Sequence, residues 1–379
     1  MNVEHRLELH AVTKRFGEFT AVAPLDMAVR HGEFIALLGP AGSGKSTTLR
    51  LIAGLEKPSS GTVHLDGFEV TPMSPQRRDV AFVFQSPALY PHMSVQRNIA
   101  FPMLAQRIPA NAITRRVGEV IDRFQLDHLR RRKPPKLSPS DYQRVSLARA
   151  MVRDAKAFCF DEPLARFAGE HREHMRRELR AIHEELRATT MMATRDPLDA
   201  ITTADRIVVM NEGRVVQFDT PQAIYDYPAD LFVARYLGAQ AMSFVSASHA
   251  DGIARLSCCD LAIPVDDRGA RPVDPARITL GIRPEHVRID PRGVPATAVV
   301  TDSGSNGTVD LRLGDAPIRA SIPPDRQVRD GEIVPIRFDS AGCRWFDATS
   351  GKALPWRTGT PLHNADNRRV RQGRQGRQG

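Results

Sequence analysis

The chain has 379 residues, with 53 lysines and arginines against 44 aspartates and glutamates, which gives a net charge of +9 at pH 7. This length predicts two or three domains, and a composition of 41% hydrophobic and 26% charged residues excludes a mostly disordered chain. The absence of any apolar run of about eighteen residues excludes a membrane-spanning helix. The first ten residues lack a secretory pattern, and four cysteines are too few for a disulfide framework, so we expect a soluble cytosolic protein.

The first predicted domain covers residues 1–238 and is of the α/β class. Short β-branched runs alternate there with longer stretches whose apolar residues recur at helical spacing. A largely helical insertion is predicted at about residues 90–155. The buried strands predicted around it are Phe34–Leu38, Val80–Phe84, Ala157–Phe160, Thr190–Ala193 and Ile207–Met210.

A second, β-rich domain is predicted at residues 243–357. Its short strand-like pieces, such as ITLGIRP, ATAVVTD and EIVPIRF, are separated by Gly, Pro and Asp turns. The basic tail, residues 358–379, ends in three RQG repeats and has too few apolar residues for a core, so we expect it to be disordered. Its charge can attract nucleic acid, but a passive, solvated tail is favoured and no nucleic-acid partner is expected.

The segment GPAGSGKST follows the apolar run FIALL and fits the pattern G-x-x-x-x-G-K-[ST] of a phosphate-binding loop. In such a loop, backbone amides and the positive end of the next helix surround an anion. Lys45 would reach the β- and γ-phosphates and Ser46 would offer a hydroxyl to Mg²⁺. A glycine-rich turn with a chance lysine is the alternative, and the order strand, loop, helix argues against it. The residues predicted to contact the nucleotide are Gly39, Pro40, Ala41, Gly42, Ser43, Gly44, Lys45, Ser46 and Thr47.

A pair of acidic residues later in the chain also supports the prediction of a nucleotide site. The apolar run Ala157–Phe160 ends in Asp161 and Glu162. An aspartate at the tip of a buried strand can hold Mg²⁺, and a glutamate beside it can polarise a hydrolytic water. Alone, such a pair is a strand end with a turn; together with the phosphate loop it indicates a nucleotide site.

Segments across most of the chain resemble one protein family: KRFGEFTAV, GPAGSGKSTTLRLIAGLEKPSSG, VFQSPALYPHMSVQRNIAFPM, RVSLARAMV, FDEPL and LGIRPEHV. The chain resembles the ATP-binding subunits of ABC transporters, in the sugar-importer branch that includes the maltose and glycerol-phosphate transporter ATPases. The resemblance implies a P-loop NTPase fold of the ABC type with a helical subdomain. It also implies a C-terminal all-β, OB-like domain of the TOBE or MOP kind.

The same resemblance implies ATP and Mg²⁺ as cofactors and assigns further roles. Phe16 would stack on adenine, Gln85 would sense Mg²⁺ and the attacking water, and the segment from Ser86 to Met103 would receive a coupling helix of a membrane subunit. Phe16 as a core residue and Gln85 as a strand-end polar residue remain alternatives. The implied partners are transmembrane permease subunits and, indirectly, a periplasmic or extracellular solute-binding protein. The implied place is the cytoplasmic face of the cell membrane.

Three elements depart from the family pattern. The LSGGQ signature reads Leu137, Ser138, Pro139, Ser140, Asp141; the loop that usually ends in aspartate reads Ala165–Ala168; and Arg195 replaces the switch histidine. Pro139 lacks an amide hydrogen, so the signature loses one hydrogen-bond donor to the nucleotide. Asp141 would repel a nearby nucleotide by about one to a few kcal/mol. Ser138 and Pro139 nevertheless predict a good helix start.

Arg195 only donates hydrogen bonds and stays charged, so it can bind a γ-phosphate but cannot relay a proton. In the family, two ATPase subunits pack head to tail, and the signature of each covers the ATP of the other. A homodimer of this chain would have both defects in each site. We therefore expect the degenerate half of a heterodimeric pair, with an intact second ATPase subunit and slow hydrolysis through Glu162. Neutral variation in a working ATPase, a catalytically silent nucleotide-binding subunit and a nucleic-acid-linked ATPase are the alternatives.

Overall fold

The computed structural model describes residues 5–86, 88–153, 155–237, 242–267, 269–289, 296–302, 307–322, 327–359 and 362–363, with backbone alone at 296–298, 301–302 and 362–363. The chain divides into two compact units, Met1–Pro221 and Gln222–Gly379. This division falls before residue 238, where the sequence placed the end of the first domain. The reason is that residues just after it pack with the second unit: Ala234 lies in a buried cluster with Met242 and Phe346.

The first unit combines two sheets with helices. Its elements, in chain order, are β1 (His5–Phe16), β2 (Phe19–Arg30), β3 (Phe34–Leu38), α1 (Lys45–Ala53), β4 (Ser60–Leu65), β5 (Phe68–Glu69), β6 (Val80–Val83), α2 (Val95–Ala105), α3 (Ala110–Arg123), α4 (Pro139–Met151), β7 (Ala157–Asp161), α5 (Gly169–Leu186), β8 (Thr189–Thr194), α6 (Pro197–Thr203), β9 (Arg206–Asn211) and β10 (Arg214–Asp219).

The central sheet has the strand order β10-β9-β3-β8-β7-β6, and all its pairs are parallel except β9 with β10. Its inner strands are buried on both faces, which is why they appear in the sequence as continuous apolar runs. The five predicted strands are all present, and the α/β class is confirmed. Because parallel strands end at the same edge, the residues that follow β3, β6, β7 and β8 meet there.

A second, antiparallel sheet has the order β2-β1-β4-β5. One face of it packs on α1 and the central sheet, with Leu7, Leu9, Val63 and Leu65 buried in a shared core. None of the four strands of this sheet was predicted individually from the sequence. Phe16 lies at the end of β1, next to the turn that joins β1 to β2.

The predicted helical insertion is confirmed by α2, α3 and α4. Helix α4 begins as its sequence predicts: Ser138 is the N-cap, Pro139 is the first helical residue, and the Ser138 hydroxyl accepts a hydrogen bond from the Asp141 amide at 3.1 Å. Among the described residues, no helix is both long and apolar enough to cross a membrane.

The second unit is mainly β, as predicted. Its elements are α7 (Pro221–Asp226), α8 (Leu231–Tyr236), β11 (Ser243–Ala250), β12 (Ile253–Leu256), β13 (Leu261–Asp266), β14 (Ile278–Ile282), β15 (Val287–Ile289), β16 (Ala296–Asp302), β17 (Thr308–Leu313), β18 (Ala316–Ser321), β19 (Ile333–Phe338), β20 (Arg344–Asp347), β21 (Ala353–Leu354), β22 (Arg357–Thr358) and β23 (Leu362–His363).

Two sheets make up this unit. Strands β15, β18, β17, β16 and β19 close a small barrel, and the other strands form a sheet of order β21-β20-β14-β11-β12-β13-β22, with β23 also paired to β13. The barrel agrees with the OB-like domain that the sequence predicted. Of the predicted disordered tail, 358–379, the structure describes residues 358–359 and 362–363, and the rest lies outside the described residues.

Candidate functional site

The loop between β3 and α1 curls around the amine of Lys45. Gly44 has φ +99°, and a Cβ there would lie 2.7 Å from the Ala21 carbonyl oxygen, so no larger residue fits. The Lys45 ammonium donates to the Pro40 carbonyl at 2.6 Å and to the Ser43 hydroxyl at 3.1 Å. Because α1 starts at Lys45, its unpaired amides and positive end lie at this loop. Residues 39–47 thus have the form of an anion-binding cradle.

Lys45 is buried, with only 4% of the residue exposed. Burial lowers its pKa to about 8, an effect that the nearby Glu162 and Asp161 carboxylates oppose and that Arg195 reinforces. A partly desolvated cation next to an anion-binding loop attracts phosphate more strongly than a solvated one.

Ser46 and Asp161 place two oxygens side by side at the same edge. The Ser46 hydroxyl donates to Asp161 Oδ1 at 2.7 Å, and Asp161 is 1% exposed at the end of β7. Burial raises the pKa of Asp161, and the hydrogen bond from Ser46 opposes that shift. Hydroxyl and carboxylate oxygens are the ligands Mg²⁺ prefers. These residues therefore fit a magnesium–nucleotide site of the kind that the sequence predicts.

Both carboxylate oxygens of Glu162 have partners. Oε1 accepts a hydrogen bond from Arg195 Nε at 2.6 Å, and Oε2 accepts one from Gln85 Nε2 at 3.1 Å. The backbone of Glu162 has φ +48°, and its amide donates to the Ala193 carbonyl at 2.9 Å. The structure thus brings together Glu162, Gln85 and Arg195, which the sequence analysis named separately. It also shows that Arg195 is bound to the carboxylate.

A buried ionic cluster frames Arg195, and sequence reasoning missed it. Asp199, on α6, is buried and accepts hydrogen bonds from Arg172 at 3.0 and 2.7 Å, from Arg176 at 2.7 Å and from the Thr194 hydroxyl at 3.0 Å. Asp196 lies 3.1 Å from Arg172 and caps α6. The residues on each side of Arg195 are thereby held to α5. The i, i+4 spacing of the two arginines was the available signal.

The polar side chains of the altered signature form hydrogen bonds with one another and with Arg144. The Ser138 hydroxyl donates to Asp141 Oδ2 at 2.7 Å, and Arg144 Nη2 binds Asp141 Oδ1 at 2.5 Å. Partial burial opposes ionisation of Asp141, but the hydrogen bonds from Ser138 and Arg144 prevail and lower its pKa. A carboxylate therefore occupies this helix start and engages the serine hydroxyl.

The other predicted residues are placed as follows. Phe16 is 49% exposed, with Lys14 Nζ 4.7 Å from its ring centre, so the ring is not part of a core. Adenine stacking on it remains a prediction. In the segment 86–103, the exposed Tyr90 packs on Phe101, with 4.6 Å between the two ring centres. The docking of a membrane subunit on this segment also remains a prediction. In the loop 165–168, Phe167 is buried and the other residues are exposed.

Comparison with known proteins gives consistent matches. Residues 22–165 match the family "ABC transporter", and residues 280–346 match the "TOBE domain". The chain is 40% identical over 363 residues to a trehalose/maltose import ATP-binding protein of Thermococcus litoralis, covering 90% of this chain and 98% of that protein. It is 37% identical over 355 residues to an sn-glycerol-3-phosphate import ATP-binding protein of Yersinia enterocolitica, covering 91% and 98%.

Solved structures of ATP-binding cassettes match more than half of the chain. A dimeric ATP-binding cassette with bound ADP and Pi is 28% identical, with a TM-score of 0.53 over 57% of this chain and 98% of that one. A Clostridium perfringens subunit of the cbiONQ transporter complex is 27% identical, with a TM-score of 0.55 over 59% of this chain and 92% of that one.

Proposed function

This chain belongs to the ABC transporter family of ATP-binding proteins, and we propose that it is the degenerate half of a heterodimeric ATPase pair that energises an importer. The names of its relatives, for trehalose/maltose and sn-glycerol-3-phosphate import, support a sugar, polyol or glycerol-phosphate-like solute. Its permease partners would lie in the cell membrane, with this subunit on the cytoplasmic face and a solute-binding protein acting outside.

The contact between Arg195 and Glu162 carries this proposal. In the site, Lys45 and the loop amides bind the phosphates, while Ser46, Asp161 and Gln85 are the residues that would hold Mg²⁺. Mg²⁺ bound there would act as a Lewis acid and stabilise the negative charge on the phosphate oxygens. Glu162 is the group that takes a proton from the attacking water, but Arg195 must first release its Oε1. Hydrolysis at this site is therefore slowed by a competing ion pair.

The signature provides the second argument. A serine that donates to the neighbouring Asp141 has no hydrogen left for a phosphate of the opposite subunit, and the ionised Asp141 repels that phosphate. The nucleotide of the partner would thus be covered poorly by this chain. The nucleotide of this chain would be covered well if the partner has an intact signature, so the two sites are unequal.

The composition of the assembled transporter tests the pairing. We would tag this chain at its natural level, purify the membrane complex in mild detergent and weigh it by native mass spectrometry. The expected complex contains one copy of this chain and one copy of a second ATPase subunit. A complex with two copies of this chain and no other ATPase would refute the heterodimer.

A catalytically silent nucleotide-binding subunit is the second candidate, and the same ion pair favours it. Glu162→Gln separates the two possibilities. A slow but active site would lose the remaining turnover and retain ATP after desalting, whereas a silent site would leave transport unchanged. Lys45→Ala is the control that should prevent nucleotide retention in either case.

A further inference from the structure

Almost all of the net positive charge of the chain lies in the helical insertion of the first unit. Residues 90–155 contain 13 lysines and arginines against 5 aspartates and glutamates, a net charge of +8, whereas the whole chain carries +9. The two cations of the nucleotide site, Lys45 and Arg195, lie outside this segment. The charge of the insertion is therefore not explained by nucleotide binding.

The carboxylates of the insertion are already engaged by other arginines. Asp122 and Asp127 lie 3.4 and 2.8 Å from Arg130. The other two described carboxylates of the segment pair with arginines three residues further along their own helices, Glu119 with Arg116 and Asp141 with Arg144. The basic residues that follow Arg130 thus receive no counter-charge from these groups.

Four basic side chains form an exposed cluster beside the start of α2. Arg131, Arg132 and Lys133 are consecutive in the loop between α3 and α4, and Arg97 lies in the first turn of α2. Within the described ranges, none of these four side chains has a hydrogen-bond or ion-pair partner. We call these four residues the basic cluster. Like charges repel one another, so an anionic surface outside the chain would stabilise it.

The loop that carries three of these charges is held in place. Leu129 before it and Pro134 after it are buried. The first two amides of α2, which a helix leaves unpaired, donate to the carbonyls of Arg132 and Arg130 at 2.9 and 3.1 Å. The basic cluster is therefore attached to the start of α2, inside the segment 86–103.

We propose that the basic cluster binds the anionic phospholipid headgroups of the cytoplasmic leaflet. This inference rests on the proposed function, in which the segment 86–103 docks on a permease subunit and so faces the membrane. The cluster, attached to that segment, then meets the negative surface potential of the leaflet, which attracts lysines and arginines within about 8 Å at physiological ionic strength. A nucleic acid carries similar charge, but the membrane is the anionic surface that a transporter subunit meets.

The test measures sedimentation of the full chain with vesicles of phosphatidylcholine and about one third phosphatidylglycerol, at physiological ionic strength. We expect binding to these vesicles, no binding to vesicles of phosphatidylcholine alone, and weaker binding as salt is raised. Each basic residue near such a surface contributes about fivefold to partition. The cluster variant Arg97→Gln, Arg131→Gln, Arg132→Gln, Lys133→Gln should therefore bind more than about 100-fold more weakly.

The basic tail offers a control that is matched in charge. Replacement of four of its arginines by glutamine, at positions 369, 371, 374 and 377, changes the net charge by the same amount as the cluster variant. These charges are spread along the sequence, whereas three of the cluster are consecutive on one loop. The tail variant should therefore lose far less binding than the cluster variant.

Three results would overturn the lipid contact. If the cluster variant binds the anionic vesicles as well as the parent chain, the cluster does not touch lipid. If the tail and cluster variants lose binding equally, net charge is responsible and not the place of the cluster. If a duplex oligonucleotide binds the cluster more tightly than the vesicles do, the partner is a nucleic acid.

The variants need a check of their fold that is independent of lipid. Affinity for Mg·ATP at Lys45, measured by calorimetry, should be the same in the parent chain and in both variants. If the fourfold variant does not fold, Arg97→Gln and Arg131→Gln alone should each weaken vesicle binding about fivefold, and no loss in either would contradict the contact. Native mass spectrometry reports the pairing with a second ATPase separately, so failure of the lipid contact is distinguishable from failure of the proposed function.

Discussion

Replacement of Arg195 by histidine is expected to raise ATP hydrolysis once the signature has been restored. The background for this test carries Pro139→Gly, Ser140→Gly and Asp141→Gln, which rebuilds LSGGQ and lets the chain form a competent homodimer. Every site of that dimer then keeps two departures, the loop at residues 165–168 and Arg195, and only Arg195 is varied in the comparison. The effect of Arg195 on Glu162 can thus be measured without the unknown partner.

The magnitude follows from the ion pair. Arg195 is 50% exposed and Glu162 is 12% exposed, so solvent screens their 2.6 Å contact and limits it to about 1 kcal/mol. Release of that energy before proton transfer corresponds to about a fivefold gain in rate. Arg195→Ala should give this gain alone. Arg195→His should exceed it, because a neutral imidazole can also accept and donate hydrogen bonds.

The assay is single-turnover hydrolysis of radiolabelled ATP by the purified homodimer. Arg195→Lys keeps a positive charge beside Glu162 and serves as the matched control, with a rate close to that of the arginine form. Glu162→Gln sets the baseline. If the alanine and histidine variants are no faster than the arginine form, the contact does not restrain Glu162 and the reasoning fails.

Three further outcomes are expected. Burial lowers the pKa of Lys45 to about 8. The affinity for Mg·ATP, measured by calorimetry, should therefore be constant below that pH and fall above it, because the amine loses its proton. A Lys45→Arg variant should show no such fall. Ser138→Ala removes the N-cap of α4 and should lower stability by about 1 kcal/mol in thermal unfolding, while ATP affinity at the chain's own loop stays unchanged. Asp199→Asn leaves Arg172 and Arg176 without their shared carboxylate and should lower the free energy of unfolding in urea by about 2–3 kcal/mol. Asp196 is partly exposed, so Asp196→Asn should lower it clearly less. An equal loss in the two variants would contradict the difference in burial between the two aspartates.

Much of the fold is encoded locally. The inner strands of the central sheet are buried on both faces, so runs such as Phe34–Leu38 stand out as apolar segments bounded by loops. The start of α4 was predictable because Ser138 and Pro139 act through bonds to residues within one turn. The antiparallel sheet was harder to predict, since β1 pairs with β4 some fifty residues away and its pairing with β2 is interrupted by several register shifts.

The site was only partly predictable for a similar reason. The sequence identifies Glu162 and Arg195 as functional positions, but their contact depends on the parallel pairing of β7 with β8, in which Asp161 lies opposite Ala193. The closure of Ser138 on Asp141 depends on side-chain rotation, which a motif does not specify.

The left-handed backbone of Glu162 has a consequence for how this protein can change. A residue with a Cβ pays about 1–2 kcal/mol to adopt φ near +48°, and glycine would not. Glu162→Gly would therefore delete the carboxylate and relax the chain in a single step. The same substitution would also lose the contact with Arg195 and give the unfolded chain more freedom, so the relieved strain brings no net gain in stability. Keeping the carboxylate means keeping the strain.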